Sequence, residues 1–362
     1  MEGHGEIDKR DDNGLLMNGT LLYQLHDPRT RDEFQVLWDT SRNTWKSLPN
    51  VQIWFQEAMY EAGVNGTNIP GINGQDYSAG DLTVGYGEGG SARSEFFGPE
   101  LGFGFHLDLP PGSSTRDKIL LVKTAWGGKD LAQDFRPPSS AQEFDPFCLL
   151  PECDPFSVGH YYNVMLQDVN KLLKPGVLGT IFPQYTNMTV DVAGFVWFQG
   201  WNDGCSVNYT AAYETNLVHL IQDMRYALRK PKLPVLVGVS GFEGWRDNGQ
   251  GRKPTNCWDG PNIIDRIHCD CSGFDRECRR IDIMLSQIEA ANLTKHPELG
   301  CCVESIETRD FFRAAELSPM DQGYHFNHNA ETHFLIGKAM ARGMNRLQAA
   351  STDDSGMPAQ SL

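Results

Sequence analysis

Four short apolar runs recur along the chain, with amphipathic stretches between them. Residues 119–125 (ILLVKTA), ending at Gly127-Gly128, 192–198 (VAGFVWF), ending before Gly200, and 234–240 (PVLVGVS) are almost continuously apolar, and 303–308 (VESIET) is a weaker fourth. Runs of this length without polar alternation predict strands buried on both faces. The stretches between them have helical period. In 157–174, Tyr161, Val164, Met165, Val169, Leu172 and Leu173 share one side, and Pro175-Gly176 stops the helix. In 211–228, Tyr213, Leu217, Leu220, Ile221, Met224 and Leu228 recur at steps of three and four. Residues 281–293 form another candidate. A last helix is predicted over 330–347, capped by Asn329, with Phe334, Ile336, Met340 and Met344 in its stripe. Strands alternating with helices predict a parallel sheet covered on both faces, with any site at the carboxyl ends of its strands.

Residues 66–90 and 244–278 are rich in Gly, Asn and Asp, and in Cys in the second, and are expected to be long loops. With neither an internal repeat nor a linker, one domain is expected over 1–348. A polar tail, 349–362, is expected to be disordered.

Composition narrows the chemistry. The chain has 362 residues and a formal net charge of −16. That charge argues against nucleic acid and against an anionic membrane surface, both of which need clustered Lys and Arg. No stretch approaches the roughly 20 apolar residues of a membrane helix, so no membrane insertion is expected. Nine cysteines and five N-x-S/T sequons, at Asn18, Asn65, Asn187, Asn208 and Asn292, point to a secretory setting, although the first residues (MEGHGEIDKRDD) do not form a signal peptide.

Three motifs sit where such a fold places a site. Trp197-Phe198-Gln199-Gly200-Trp201-Asn202-Asp203 follows the second run, and its amides can donate to an oxyanion. Lys123-Thr124-Ala125-Trp126-Gly127-Gly128 closes the first, and paired glycines let backbone N–H groups approach a ligand. Asp321-Gln322-Gly323-Tyr324-His325 precedes the last helix and offers a general base with a carboxylate near it.

Together these motifs resemble the SGNH hydrolases, and within them the sialate O-acetylesterase and acetylxylan-esterase branch. Gly200-Trp201-Asn202-Asp203 is the superfamily's G-x-N-D block. WFQGWND is similar to the branch's W-x-Q-G-E-x-D, with Trp201 in place of Glu. KTAWGGK matches K-x-A-x-G-G. Gly98-Pro99-Glu100-Leu101-Gly102-Phe103-Gly104 matches the branch's G-P-E-x-x-F-G, which opens a packing helix. Gly323-Tyr324-His325-Phe326 resembles the block that bears the catalytic histidine.

The resemblance implies a three-layer α/β/α sandwich with a central parallel sheet of about five strands, flavodoxin-like. It implies a serine esterase that removes acetyl groups from carbohydrates and needs no metal or organic cofactor. His325 would be the base. Gly127 or Gly128 would supply the backbone oxyanion donor, and Gln199 or Asn202 the side-chain donor. Trp126 and Trp201 would form a sugar-stacking wall or simply pack. The family's acid lies three residues before the histidine, where this chain has Gln322. Asp321 is the nearest carboxylate, with Asp310 and Glu331 as alternatives.

The family's nucleophile block, G-Q-S-N-M, follows the first core strand. Met1-Glu2-Gly3-His4-Gly5 resembles the end of that block. The serine is therefore expected two positions before Met1, with the first core strand also upstream, and residues 1–362 alone are expected to hydrolyse nothing. A second expectation is a non-catalytic glycan-binding protein on the same fold.

Other motifs are set aside. Gly85-Tyr86-Gly87-Glu88-Gly89-Gly90 spells the dinucleotide fingerprint, but only the short 82–84 precedes it, Gly98-Pro99 follows too soon for a full helix, and Glu88 would oppose a pyrophosphate. His268-Cys269-Asp270-Cys271 with Cys278 lacks a C-x-x-C zinc spacing. Ser91 and Ser94 have no G-x-S-x-G elbow.

Overall fold

The computed structural model describes residues 2–56, 59–60, 68–69, 77–88, 95–110, 112–114, 117–142, 158–245 and 275–353. Eight strands frame the site: β1 (Gly5–Glu6), β2 (Leu48–Gln56), β3 (Tyr77–Leu82), β4 (Phe96–Phe97), β5 (Ile119–Lys123), β6 (Phe195–Trp197), β7 (Val235–Gly238) and β8 (Val303–Ile306). Five helices accompany them: α1 (Pro99–His106), α2 (His160–Leu172), α3 (Val207–Ala227), α4 (Asp275–Ala290) and α5 (Ala330–Asp353).

All four expected strands form, and β6, β7 and β8 pair in parallel in that order. Their continuous apolar runs are explained by burial on both sides. Trp197, Val235, Val237 and Val303 enter one core with Tyr161 and Val164 of α2, Tyr213, Leu217 and Ile221 of α3, and Ile283 of α4. Leu236 and Ile306 enter a second core with Ile336, Met340 and Met344 of α5, and Val196 packs against it. The alternation follows from the two-residue repeat of a strand.

The parallel strands do not form one sheet of about five. β5 belongs to a second three-stranded sheet, ordered β3-β2-β5, in which β2 and β5 are parallel and β3 is antiparallel. The fold is thus mixed α/β with parallel strands in two sheets. β2 was not expected, because Gln52 and Gln56 interrupt its apolar pattern. Both are buried, and the Gln52 amide donates to Asp81 on β3 at 2.7 Å. β3 lies inside the expected loop 66–90. Its sequence, YSAGDL, has no strand signature and is extended through its pairing with β2.

Helix ends shift by a few residues. α3 starts at Val207, where Ser206 accepts the Tyr209 N–H, rather than at 211. The predicted Asn329 cap forms: its side-chain oxygen accepts the Thr332 N–H at 3.1 Å. α5 continues to Asp353, past the expected end at 347. The loop 244–278 lies mostly outside the described residues, as do 354–362. So do Ser91, Ser94, Asn65, His268, Cys148, Cys153, Cys257, Cys269 and Cys271, while Cys278 is described in its backbone only. Among the described residues, Cys301 and Cys302 are free thiols.

The G-P-E-x-x-F-G match does open a packing helix. α1 crosses α5 almost backbone to backbone, because both carry glycine at the contact. A Cβ on Gly102 would stand 2.1 Å from the Phe334 carbonyl oxygen, and one on Gly337 would stand 1.9 Å from that of Pro99. No rotamer change relieves a clash with backbone. Gly337→Ala is therefore expected to lower unfolding free energy by about 1–3 kcal/mol in urea titration, despite alanine's better helix propensity. An unchanged midpoint would mean that the crossing is looser than described.

Candidate active site

The site lies where the loops after β5 and β6 meet, and a carboxylate joins them. Asp203 has no exposed surface. It accepts the backbone N–H groups of Leu131 (2.9 Å) and Ala132 (3.0 Å) and the Gln199 side-chain amide (2.7 Å). Burial pushes its carboxyl up, with Asp130 adding to the rise and the three donors opposing it. Asp203 thus fixes the Gly127-Gly128 turn against the block 199–205. Sequence reading assigned it no role, since a lone Asp gives no sign of being buried.

This arrangement separates the two amides left open above. The Gln199 Nε2 group donates to Asp203 and to the Lys129 carbonyl (3.0 Å), and its Oε1 accepts from Tyr213 (3.2 Å). An NH2 group has two donors, so Gln199 is committed to the scaffold. Asn202 is half-buried, and its Nδ2 lies 3.9 Å from where a Cβ on Gly128 would stand. Gly128 has φ +71°, a left-handed conformation in which a side chain is strained. The Asn202 amide and the glycine turn therefore adjoin.

On the Gly127 side the turn already meets an anion. The Gly127 N–H donates to the Glu2 carboxylate, which would stand 2.8 Å from a Cβ at 127. Burial opposes ionisation of Glu2, but His4 and the Gly127 N–H outweigh it and hold the carboxyl below its usual range. Lys123, buried at the end of β5, donates to the Glu2 and Tyr86 carbonyls and pairs with Glu100 at 3.0 Å.

His325 completes the cluster. Its ring stacks on His4 with centroids 3.4 Å apart, and His328 lies 5.9 Å away, edge-on. Burial, then His4 and His328, push His325 down to about 3, against the pull of Glu2. The imidazole is therefore neutral near pH 7, the form a general base requires. The loop that holds it is tightly determined: Phe326, Asn327 and His328 all have positive φ, and Asn327 accepts the Gln322 N–H and donates to the Arg313 carbonyl.

Three carboxylates were candidates to orient His325. Asp321 is exposed, and among the described residues no hydrogen bond joins it to His325. Glu331 is held by both arms of Arg313 (2.7 and 2.9 Å), and Asp310 accepts the Trp245 indole N–H (2.6 Å). Gln322, where the family has its acid, meets His328 instead, at 2.5 Å. Glu2, His4 and Glu88 bring their ligand atoms within 4.8 Å of one another, a set that could also hold a cation. Neither His4 nor Glu2 was picked out in the sequence, because their partners lie far along the chain.

The two tryptophans part company. Trp126 does not line a cleft wall: it is buried against Tyr161 (4.8 Å) and Phe135 (6.0 Å) in the core beneath the loops. Trp201 is half-buried, edge-on to Phe242 and 5.5 Å from Tyr324, whose ring lies 4.4 Å from His325. The Arg280 guanidinium sits over the Trp201 ring at 3.7 Å.

Two outcomes follow. Asp203→Ala leaves buried N–H donors without an acceptor and is expected to cost at least about 3 kcal/mol in chemical denaturation, with Asp203→Asn costing less because one acceptor remains. Equal stability of the alanine variant would refute the clamp. For pH, His325 titrates lower in the fold than the ordinary 6.5, so the unfolded chain takes up the proton first. Stability present above that value is lost as the pH falls toward about 3. The urea midpoint is expected to drop between about pH 7 and about pH 4, and to drop less in His325→Gln.

Comparison with known proteins adds a family. No curated protein matches the chain. A solved structure of a protein from Arabidopsis thaliana is similar at 12% identity, with a TM-score of 0.40, covering 84% of this chain and 89% of that one. The profile of the family described as "Carbohydrate esterase, sialic acid-specific acetylesterase" matches residues 84–252, which include Lys123, Gly127, Gly128, Asn202 and Asp203. Over that span the chain matches the sialic acid-specific acetylesterase family of carbohydrate esterases.

Proposed function

We propose that this fold, in a form of the chain extended upstream of Met1, is a serine esterase that removes acetyl groups from carbohydrate hydroxyls. The observation that carries the reading is the Glu2 carboxylate on the Gly127 N–H, within reach of the histidine cluster. The turn is thus already disposed to bind an anionic oxygen, as a tetrahedral ester intermediate requires.

In this reading the parallel strands belong to a three-layer α/β/α sandwich. A serine two positions before Met1 attacks the ester carbonyl. Neutral His325 takes its proton, passes it to the departing sugar oxygen, and then activates the water that releases acetate. The N–H groups of Gly127 and Gly128 and the Asn202 amide hold the oxyanion. Trp201 and Tyr324 flank the approach and offer aromatic faces to a sugar. Asp321 stays the nearest acid in sequence, and a Ser–His pair without it also fits the geometry. Exposure of Asn187, Asn208 and Asn292 supports a secretory setting, in which these sequons would carry glycans.

The test is acetate release from an aryl acetate and from acetylated xylan, by a chain carrying Gly-Gln-Ser-Asn after an apolar strand ahead of Met1. Activity is expected in the extended chain, not in residues 1–362. It should be abolished by His325→Ala and lowered about 10²–10³-fold in kcat by Asn202→Ala. Activity of residues 1–362 alone would place the nucleophile elsewhere. A folded extended chain without activity would leave glycan binding as the better reading.

A further inference from the structure

At the amino end of β8, two cysteines are neighbours in the chain. Cys301 and Cys302 directly precede the strand, and both are half-exposed. Successive side chains of an extended chain point to opposite faces. Cys302 instead has φ +64°, a left-handed conformation that a non-glycine residue rarely adopts. The alternation is broken there, and the two thiols are in hydrogen-bonding contact.

The turn is held through its backbone. Arg225 of α3 is buried and donates to the carbonyls of Leu233 (2.9 Å), Leu299 (2.6 Å) and Cys301 (2.6 Å), with that of Cys302 at 3.5 Å. The Cys302 carbonyl also accepts the Val235 N–H at 2.8 Å. Among the described residues no carboxylate pairs with Arg225, so its charge faces carbonyl oxygens and the two thiols. A cation beside a thiol favours the thiolate, which is the form that reacts. Burial, then the Cys301 thiol, push the Cys302 thiol up, against the pull of Arg225 and Lys232. The first attack on an oxidant therefore falls to Cys301.

We propose that Cys301 and Cys302 are a redox modification site, which a small disulfide oxidises reversibly to a bridge between the two neighbours. The Cys301 thiolate attacks one sulfur of the small disulfide and expels the other half as a thiolate. Cys302, once deprotonated, attacks the Cys301 sulfur and expels the second half. The departing thiolates take up the two protons that the cysteines lose. Two protein thiols are thus oxidised to one S–S bond, and the small disulfide is reduced to two thiols. Consecutive Cα atoms lie only about 3.8 Å apart, short of the roughly 4.4–6.8 Å usual for a disulfide. Such a bridge is strained, and strained bridges are the readily reduced ones. It also closes almost no loop, so it restrains little of the unfolded chain. The pair is suited to reversible change rather than to stapling the fold. The site does not depend on the esterase reading: β6, β7 and β8 are parallel, and the block 199–203 follows the opposite, carboxyl end of β6.

The test is mass spectrometry of the reduced, folded chain after incubation with oxidised glutathione, alkylation with iodoacetamide and digestion with trypsin. Peptide 296–309 (HPELGCCVESIETR) carries both cysteines and no other. It is expected to become two hydrogens lighter and to lose both alkylation sites, and to regain both in excess reduced glutathione. Cys302→Ser should stop at a mixed disulfide, with one glutathione on Cys301. If that variant does not fold, the unsubstituted peptide alone decides. A peptide that keeps both thiols, carries two glutathiones, or is linked to another cysteine of the chain overturns the proposal. So does a bridge that persists in excess reduced glutathione.

Discussion

The Asp203 carboxylate, with no surface in water, holds two loops that come from different sheets. Its donors are the Leu131 and Ala132 N–H groups from one side and the Gln199 amide from the other. Beneath it, the Gln199 carbonyl accepts from Tyr213 (2.8 Å), Gln287 (2.6 Å) and Ser240 (3.1 Å), so α3, α4 and the end of β7 are tied to the same point. A buried polar group of this kind stabilises only when all its partners are present. The network therefore specifies one arrangement of the turn and the amide block, and in that arrangement Gln199 is consumed while Asn202 is left beside Gly128.

A second clamp works at the amino end. Lys123 and Glu100 form a buried pair whose remaining donors and acceptors are used on the Glu2 and Tyr86 carbonyls and the Gly98 N–H. Burial drives the Lys123 amine down, and Glu100 opposes that drop. Such a pair adds little net stability, but removing one member strands the other charge in the interior. The lysine of K-x-A-x-G-G and the glutamate of G-P-E thus meet, which gives two separate sequence motifs one structural reason.

The strands and helices that bury whole faces were legible, because β5 to β8 lie in short apolar runs and α2, α3 and α5 repeat their apolar residues at the helical period. β2 was not, since Gln52 and Gln56 fill buried positions and the polar pattern hides them. The placing of the motifs after β5 and β6 was legible too. The division of labour inside WFQGWND was not: Gln199 and Asn202 differ in hydrogen-bond partners, and those partners lie on other loops. The same limit explains Trp126, which stands next to the glycine turn in sequence but turns inward. It also explains the acids, where Arg313 and Trp245 claim Glu331 and Asp310 from a distance. His4 could not be linked to His325 without the fold, although their rings are stacked.

The two clamps gain weight because β5 and β6 lie in separate sheets. In a continuous sheet, backbone hydrogen bonds set the spacing of neighbouring strands, and loops at their ends inherit that spacing. Here no ladder joins β5 to β6 among the described residues. The distance from the Gly127-Gly128 turn to Asn202 is then set by Asp203 at the carboxyl ends and by the α1–α5 layer below. Those contacts are few and local, so the site's geometry rests on groups that contribute side-chain bonds rather than ladder bonds. Donors that are to act together on one group tolerate little displacement, because each acts only at hydrogen-bond distance.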